Sequence, residues 1–409
     1  MSSSLDAARE RVIQSVKIDL LSKTQAAENE SKRKEIARSF ISDTITVPTV
    51  EMYAYAVNAT LGDDVYSEPS TTALEAHIAK LTGKEAGIFM PSGTASNQIA
   101  LRTHLKQPPY TVLCDHRSHI YRYEVGGTPF HSGAAMTTLI PSNGTDISCL
   151  YVRELISRRK AIISLCRRWK TMCLNSAPTE VISLENTLNG TIFPQDEIIA
   201  ISKFARSHDI KTHLDGARLW HVAVETGLSM KELCDPFDSV SLCFSKGLGA
   251  PIGSCLVGQK EYIAKARRFR KLFGGGMRQT GILVASAAYA LNNNFPLLVN
   301  VHTLARKVQK GLEDIGVTIL SPAETCMVFY DASSIGTTFD EIFERGKSLP
   351  EPLILGGSRV VIHIQTSEAA VDDFLALIGD IAEEKKRAGF VKPEINGQGR
   401  IKDFYVRRH

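Results

Sequence analysis

At 409 residues the chain is too long for one simple core and has length for two packed domains. Its 43% hydrophobic and 22% charged residues are ordinary for a globular protein, and a formal net charge of +4 gives no reason to invoke nucleic acid. No apolar run in the sequence reaches the roughly 20 residues that span a bilayer, and the eight cysteines include no C-x-x-C pair, so neither a membrane partner nor a bound metal is expected.

In chain order, residues 1–38 mix Ser, Ala, Lys and Arg with Asp6, Glu10, Asp19, Glu28, Glu30 and Glu35. They lack the apolar core of a signal peptide and read as an N-terminal helical arm of a cytoplasmic protein with reduced thiols. Thr72 to Leu81 reads as an amphipathic helix stopped at Gly83. Ala86 to Met90 is a short apolar run, after which Pro91-Ser92-Gly93-Thr94 opens a helical pattern through Leu105. Tyr110–Cys114, Glu180–Leu184, Lys211–Leu214, Ser239–Phe244 and Gly253–Val257 read as buried strands, separated by helices such as Pro194–Ser207. This alternation predicts an α/β fold with a mainly parallel sheet covered on both faces, and ligands beyond the carboxyl ends of its strands.

Gly281 to Asn292 is an Ala-rich helix, and Asn292-Asn293-Asn294-Phe295-Pro296 is expected to break the chain. Beyond it, strands at Met327–Tyr330 and Arg359–Ile364 and a helix near Ala370–Arg387 predict a smaller α/β domain. The expected division is an arm over 1–38, a large domain over 39–295 and a small domain over 296–409.

Three strings carry chemistry. Lys246 ends an apolar strand within Phe244-Ser245-Lys246-Gly247, where partial burial is expected to lower its pKa and make it a nucleophile toward aldehydes. Asp215 ends another strand, in the string Asp215-Gly216-Ala217-Arg218. There it can pair with a protonated pyridine nitrogen, with Arg218 one turn on for a ring oxygen or a substrate carboxylate. Ser92, Gly93 and Thr94 open a helix whose free N–H groups and dipole suit a phosphate. Each string also occurs in ordinary loops and caps. Their order, with a phosphate cup first, then an aspartate, then a lysine, is the layout of fold-type I enzymes that use pyridoxal 5′-phosphate.

The stretch from Ser39 to about Asn294 closely resembles the low-specificity L-threonine aldolases. The matching strings include Ser42-Asp43-Thr44, Gly62-Asp63-Asp64-Val65-Tyr66, Ser118-His119, Ser183-Leu184-Glu185-Asn186-Thr187 and Gly274-Gly275-Gly276-Met277-Arg278-Gln279. The resemblance implies an aspartate-aminotransferase-like large domain, with Lys246 as the lysine that condenses with the cofactor and Asp215 as the partner of its ring nitrogen. It also implies that His119 stacks on the cofactor ring. Ser42, Arg218 and Arg359 would hold the substrate carboxylate. Tyr66, Lys271 and Arg278 would come partly from a neighbouring subunit of a homotetramer built from dimers. The implied reaction is retro-aldol cleavage of L-threonine or L-allo-threonine to glycine and acetaldehyde. The competing readings are a pyridoxal-phosphate alanine racemase on the same scaffold and a catalytically weak, oligomer-forming paralogue.

One region departs from the family. From about Asp146 to Pro178 the chain carries Arg153, Arg158, Arg159, Lys160, Arg167, Arg168 and Lys170, and Asn175 aligns where a histidine near the substrate hydroxyl is common. An amide cannot accept a proton as imidazole does, so base duty would pass to His119 or to water. The segment reads as a surface feature, as an altered substrate loop or as an error in the coding sequence.

Overall fold

The computed structural model describes residues 2–17, 25–141 and 177–392; Asn175 and the basic segment lie outside them. Seven strands form the main sheet: β1 (Ala86–Met90), β2 (Thr111–Asp115), β3 (Ala135–Leu139), β4 (Thr179–Glu185), β5 (Lys211–Asp215), β6 (Ser239–Cys243) and β7 (Ser254–Gly258). Their spatial order is β1-β7-β6-β5-β4-β2-β3. All neighbouring pairs from β6 to β3 are parallel, whereas β7 runs antiparallel to both β6 and β1. The reason is the connection. The loop from Phe244 to Gly253 has no crossover helix, so the chain can only reverse on itself.

The helices begin and end where local chemistry demands. In Pro69–Thr82 the carboxylate of Glu68 accepts from the N–H groups of Ser70 and Thr71, Pro69 sits where no N–H is needed, and Gly83 closes the helix at φ 67°. Gly93–His104 starts on Ser92, whose hydroxyl accepts from the N–H of Ala95. The expected break near Asn292–Pro296 is not a break. Helix Gly281–Tyr289 continues through a π-turn at Ala290–Asn294 and a 3-10 turn at Phe295–Leu297 into helix Leu298–Ile315. Pro296 falls in the first turn, where its missing N–H costs nothing, and the Asn294 amide donates to the carbonyl of Leu248 at 2.8 Å.

That helical path, Gly281–Ile315, is long and apolar enough by composition to cross a membrane. Its Val284, Ala287, Ala290 and Leu298 are instead buried in the main core, with Val301, Ala305 and Leu312 in a second one. The main core packs strand residues such as Ile182, Leu214, Leu242 and Val257 against Trp220 and Phe244. The second core centres on β9 (Met327–Asp331), flanked by β8 (Thr318–Ser321) and β10 (Arg359–Val361) in an antiparallel sheet. Helix Glu368–Arg387 buries Phe374 and Ile378 there. Phe40 joins this second core, and Arg38 bonds to the carbonyls of Glu351 and Pro352 and to Asp373. The segment that precedes residue 41 is thereby tied down on the second core, which brings residues 41–44 alongside β10.

Candidate active site

The site is assembled at the carboxyl ends of β4, β5 and β6 by one face of helix Gly93–His104. Positions 93, 96 and 97 lie on adjacent turns of that helix and face the sheet. A Cβ on Gly93 would stand 2.7 Å from Cys243 Sγ at the end of β6, so only glycine lets the helix start come this close. Ser96 Oγ bonds to Ser241 Oγ at 2.7 Å. Asn97 Nδ2 donates to Asp215 Oδ2 at 2.7 Å and to Glu124 Oε1 at 2.9 Å. The helix N-terminus at Ser92, Gly93 and Thr94 is thereby set beside the strand end that leads to Lys246.

Asp215 is buried, and its other oxygen accepts from the N–H of Ala217 at 3.0 Å. Burial alone would raise its pKa. The charges of Lys246 and His119 and the Asn97 hydrogen bond outweigh burial and lower it, so the carboxylate is ionised. Behind it, burial holds His213 down to about 4 despite Asp215, and its Nε2 bonds to Asn97 Oδ1 at 3.1 Å.

Lys246 is partly buried three residues past β6, in a turn closed by the Gly249 N–H on its own carbonyl at 2.8 Å. The expected lowering of its pKa does not hold. Burial lowers it, but Cys243, Asp215 and Asp43 together outweigh burial and the Arg218 charge, and the net direction is upward. Cys243 first, and then the Asp215 and Asp43 carboxylates, together favour the ammonium form more than desolvation disfavours it.

His119 opens the short helix His119–Arg122, its N–H donating to Glu185 Oε2 at 2.7 Å and its Nδ1 bonded to Glu124 Oε1 at 2.8 Å. Burial lowers the imidazole, but the Glu124 hydrogen bond and the Asp215 charge prevail and raise it. Asp215, Asn97, Glu124 and His119 thus form one connected polar chain. Glu185 stands opposite Asp215 in the β4–β5 register. Desolvation, and then the charge of Asp215, push it up to about 8.

Arg218 is gripped by Asp43, Nε at 2.8 Å and Nη2 at 2.6 Å. Ser42 caps the 3-10 turn Asp43–Ile45, its hydroxyl 2.8 Å from that of Thr44. Arg359, buried on β10, donates to the carbonyl of Ile41 at 3.0 Å. Segment 41–43 therefore lies between the two arginines and brings Ser42, Arg218 and Arg359 into one wall. Tyr66, Lys271 and Arg278 form a different group. All three are exposed, Arg278 pairs with Asp63 at 3.1 Å, and none is bonded to Lys246, His119 or Asp215.

The residues missed in sequence were Asp43, Asn97, Glu124 and Glu185. All four stand inside strings that carry the reading: Asp43 in Ser42-Asp43-Thr44, Asn97 at the end of the helix start that opens at Pro91, Glu124 in Glu124-Val125-Gly126-Gly127 and Glu185 in Ser183-Leu184-Glu185-Asn186-Thr187. The i, i+4 spacing of Gly93 and Asn97 points to the second.

This donor set fits pyridoxal phosphate on its chemistry. An oriented, ionised carboxylate, an adjacent lysine and a glycine-opened helix start match the ring nitrogen, aldehyde and phosphate of one small molecule. Such a site on this sheet defines the fold-type I α/β scaffold. The chain belongs to the beta-eliminating lyase family, which matches residues 39–334 and comprises pyridoxal-phosphate enzymes.

It is 43% identical over 336 residues to a low-specificity L-threonine aldolase of Candida albicans, covering 82% of this chain and 87% of the relative. It is 37% identical to an alanine racemase of Cochliobolus carbonum, with 84% and 87% covered. The solved structure of a threonine aldolase of Leishmania major shares the fold with a TM-score of 0.70 at 18% identity, covering 84% of this chain and 99% of that one.

Proposed function

We propose that the chain is a pyridoxal-phosphate-dependent aldehyde-lyase that cleaves L-threonine, L-allo-threonine or a related β-hydroxy amino acid into glycine and an aldehyde. The observation that carries this reading is the buried Asp215 carboxylate, ionised beside Lys246 and aimed by Asn97 and the Ala217 N–H. When bound, the cofactor supplies an electron sink for the pair left on Cα. Lys246 attaches it, Asp215 holds the proton on its ring nitrogen, and Ser92, Gly93 and Thr94 receive its phosphate, with Arg278 contributed across a subunit boundary.

Substrate selection falls to the chain's own groups. Arg218, aimed by Asp43, acts with Ser42 and Arg359 to bind the carboxylate, and fixing that group decides which Cα bond is aligned for cleavage. His119, held through Nδ1 by Glu124, takes the proton from the β-hydroxyl at its remaining nitrogen. Tyr66 and Lys271 complete the substrate site of a neighbouring copy in a homotetramer built from dimers. The exposure of Leu61, Tyr66, Val125, Phe130 and Leu272, all above two-thirds of their surface, supports such an assembly. The free, buried thiols of Cys114, Cys234, Cys243, Cys255 and Cys326 support a cytoplasmic setting.

A second reading, amino-acid racemisation, is favoured by the likeness to the alanine racemase, because the same site labilises Cα–H. A panel of β-hydroxy amino acids and alanine, assayed on cofactor-loaded protein, separates the readings. Aldehyde plus glycine supports the lyase, and D-alanine supports the racemase. A loaded protein that turns over neither is a binding paralogue.

A further inference from the structure

Behind the turn that carries Lys246 runs a chain of three side chains, two buried imidazoles ending on the exposed Glu225, with no part in the chemistry above. Glu225 bonds through Oε2 to His302 Nδ1 at 2.8 Å, and His302 Nε2 lies 2.9 Å from His221 Nδ1. Both imidazoles are buried, with rings 5.2 Å apart and 28° from parallel. Glu225 also accepts from Arg306 Nη1 at 2.9 and 3.1 Å, so it is an ionised acceptor.

The protons of the chain follow from that end. An ionised carboxylate only accepts, so His302 carries hydrogen on Nδ1 and, neutral, is bare at Nε2. That bare nitrogen accepts from His221 Nδ1–H, which leaves His221 Nε2 bare as well. Burial above all holds His221 down to about 3, and burial lowers His302, which agrees with two neutral rings.

His221 Nε2 is buried without a hydrogen-bond partner. The position in front of it belongs to Gly247. A Cβ there would stand 2.3 Å from Nε2, 3.0 Å from Cδ2 and 3.2 Å from Cε1, so no side chain fits between this turn and the ring. The Nε2 edge of the ring therefore leaves room at position 247 for a glycine and for nothing larger. Asp43 and Cys326 lie close by, each with a donor atom within 4.8 Å of one His221 ring nitrogen, but both Asp43 oxygens are committed to Arg218. The chain ends on a carbon atom and conducts no proton onward.

We propose that His221 is a positioning residue for Lys246: the Glu225–His302 pair fixes its tautomer, and its bare nitrogen seats Gly247, setting the height of the lysine turn above β6. This inference rests on the reading that Lys246 attaches the cofactor. It assigns work to Glu225 and His302, which touch no reacting atom, and it makes Gly247 a residue required by shape.

The test is a double-mutant cycle on Gly247→Ala and His221→Ala. Its readouts are the dissociation constant of pyridoxal phosphate, measured on cofactor-stripped protein, and the melting temperature. Gly247→Ala alone is expected to weaken cofactor binding about 30-fold, because the methyl displaces the turn, and His221→Ala about tenfold. The double variant is expected to bind no worse than His221→Ala, since the methyl then occupies the space of the ring. Multiplicative losses would overturn the inference. His302→Phe, which touches neither the turn nor the cofactor, is the second arm and covers the case in which Gly247→Ala does not fold. It is expected to slow cofactor capture about tenfold, and an unchanged rate would overturn the inference. Borohydride fixation on the unmutated protein tests the underlying reading separately. A pyridoxyl label on another lysine would overturn both readings, whereas a label on Lys246 with a multiplicative cycle would overturn this one alone.

Discussion

Arg218 and Asp43 lie 175 positions apart and meet through two parallel hydrogen bonds, with the carboxylate fully enclosed and the guanidinium nearly so. Burial pushes Asp43 up, but the charge and hydrogen bonds of Arg218, followed by the charge of Lys246, hold it well below the usual carboxylate range. The guanidinium is therefore presented to the cleft in one orientation.

Asp43→Asn should break this arrangement. An amide offers the guanidinium one acceptor and an opposing N–H pair, and the arginine is left buried without its counter-ion. Loss of one partner from a buried pair costs about 3–5 kcal/mol of stability. The kinetic effect is expected mainly in KM for the amino acid, by at least about tenfold, because orientation of its carboxylate is what is lost. Steady-state kinetics and thermal melting check both, and an unchanged KM would remove Arg218 from substrate binding.

Lys246→Ala should leave the fold intact and abolish covalent cofactor attachment. Borohydride reduction of the unmutated protein, followed by peptide mapping, should place the pyridoxyl group on the peptide containing Ser245-Lys246-Gly247. The raised pKa of Lys246 predicts that free protein captures the aldehyde faster as pH rises, since the ammonium must first lose a proton. Capture rates flat between pH 7 and about pH 9 would contradict that charge assignment.

Asp215→Asn should still bind the cofactor but lose at least about a hundredfold in turnover, about 2.7 kcal/mol of barrier. The amide keeps the hydrogen-bonding shape offered to Asn97 and Ala217 but cannot hold a proton on the ring nitrogen. Near-normal turnover would remove Asp215 from that role.

Glu185 gives a pH prediction. Its folded pKa is pushed up to about 8 by desolvation and by Asp215. Between the ordinary carboxyl range and pH 8 the folded state therefore keeps a proton that the unfolded chain has released. Stability from this group falls as pH rises through that window and levels off above it. Glu185→Gln, which cannot ionise, should melt higher than the parent at pH 8 and close to it at pH 5, measured on cofactor-free protein. Equal differences at the two pH values would mean that Glu185 is already ionised.

Much of the fold was legible in the sequence because it depends on local patterns. Buried parallel strands are short apolar runs, and β4, β5 and β6 fall within a residue or two of where those runs lie. β3 and β8 were not read. Their partly buried sequences, Ala-Met-Thr-Thr-Leu and Thr-Ile-Leu-Ser, have neither a continuous apolar run nor clean alternation. The helical continuity through Pro296 was misread because a proline in a first turn looks like any other until the register is known.

By itself, the sequence determined which candidate groups gather at one edge of the sheet. A lysine, an aspartate and a glycine-opened helix start each sit at the end of a local pattern that places them on the same edge of the sheet. The tertiary structure alone decided how those groups are aimed and charged. Asp43 reaches Arg218, Asn97 reaches Asp215 and His221 reaches Gly247 across separations that no local pattern records. The pKa directions follow the same rule, since Lys246 is raised although burial lowers it. Burial of a residue type can be anticipated from composition and periodicity, but the sum of the neighbouring charges exists only once distant strands and loops have been packed together.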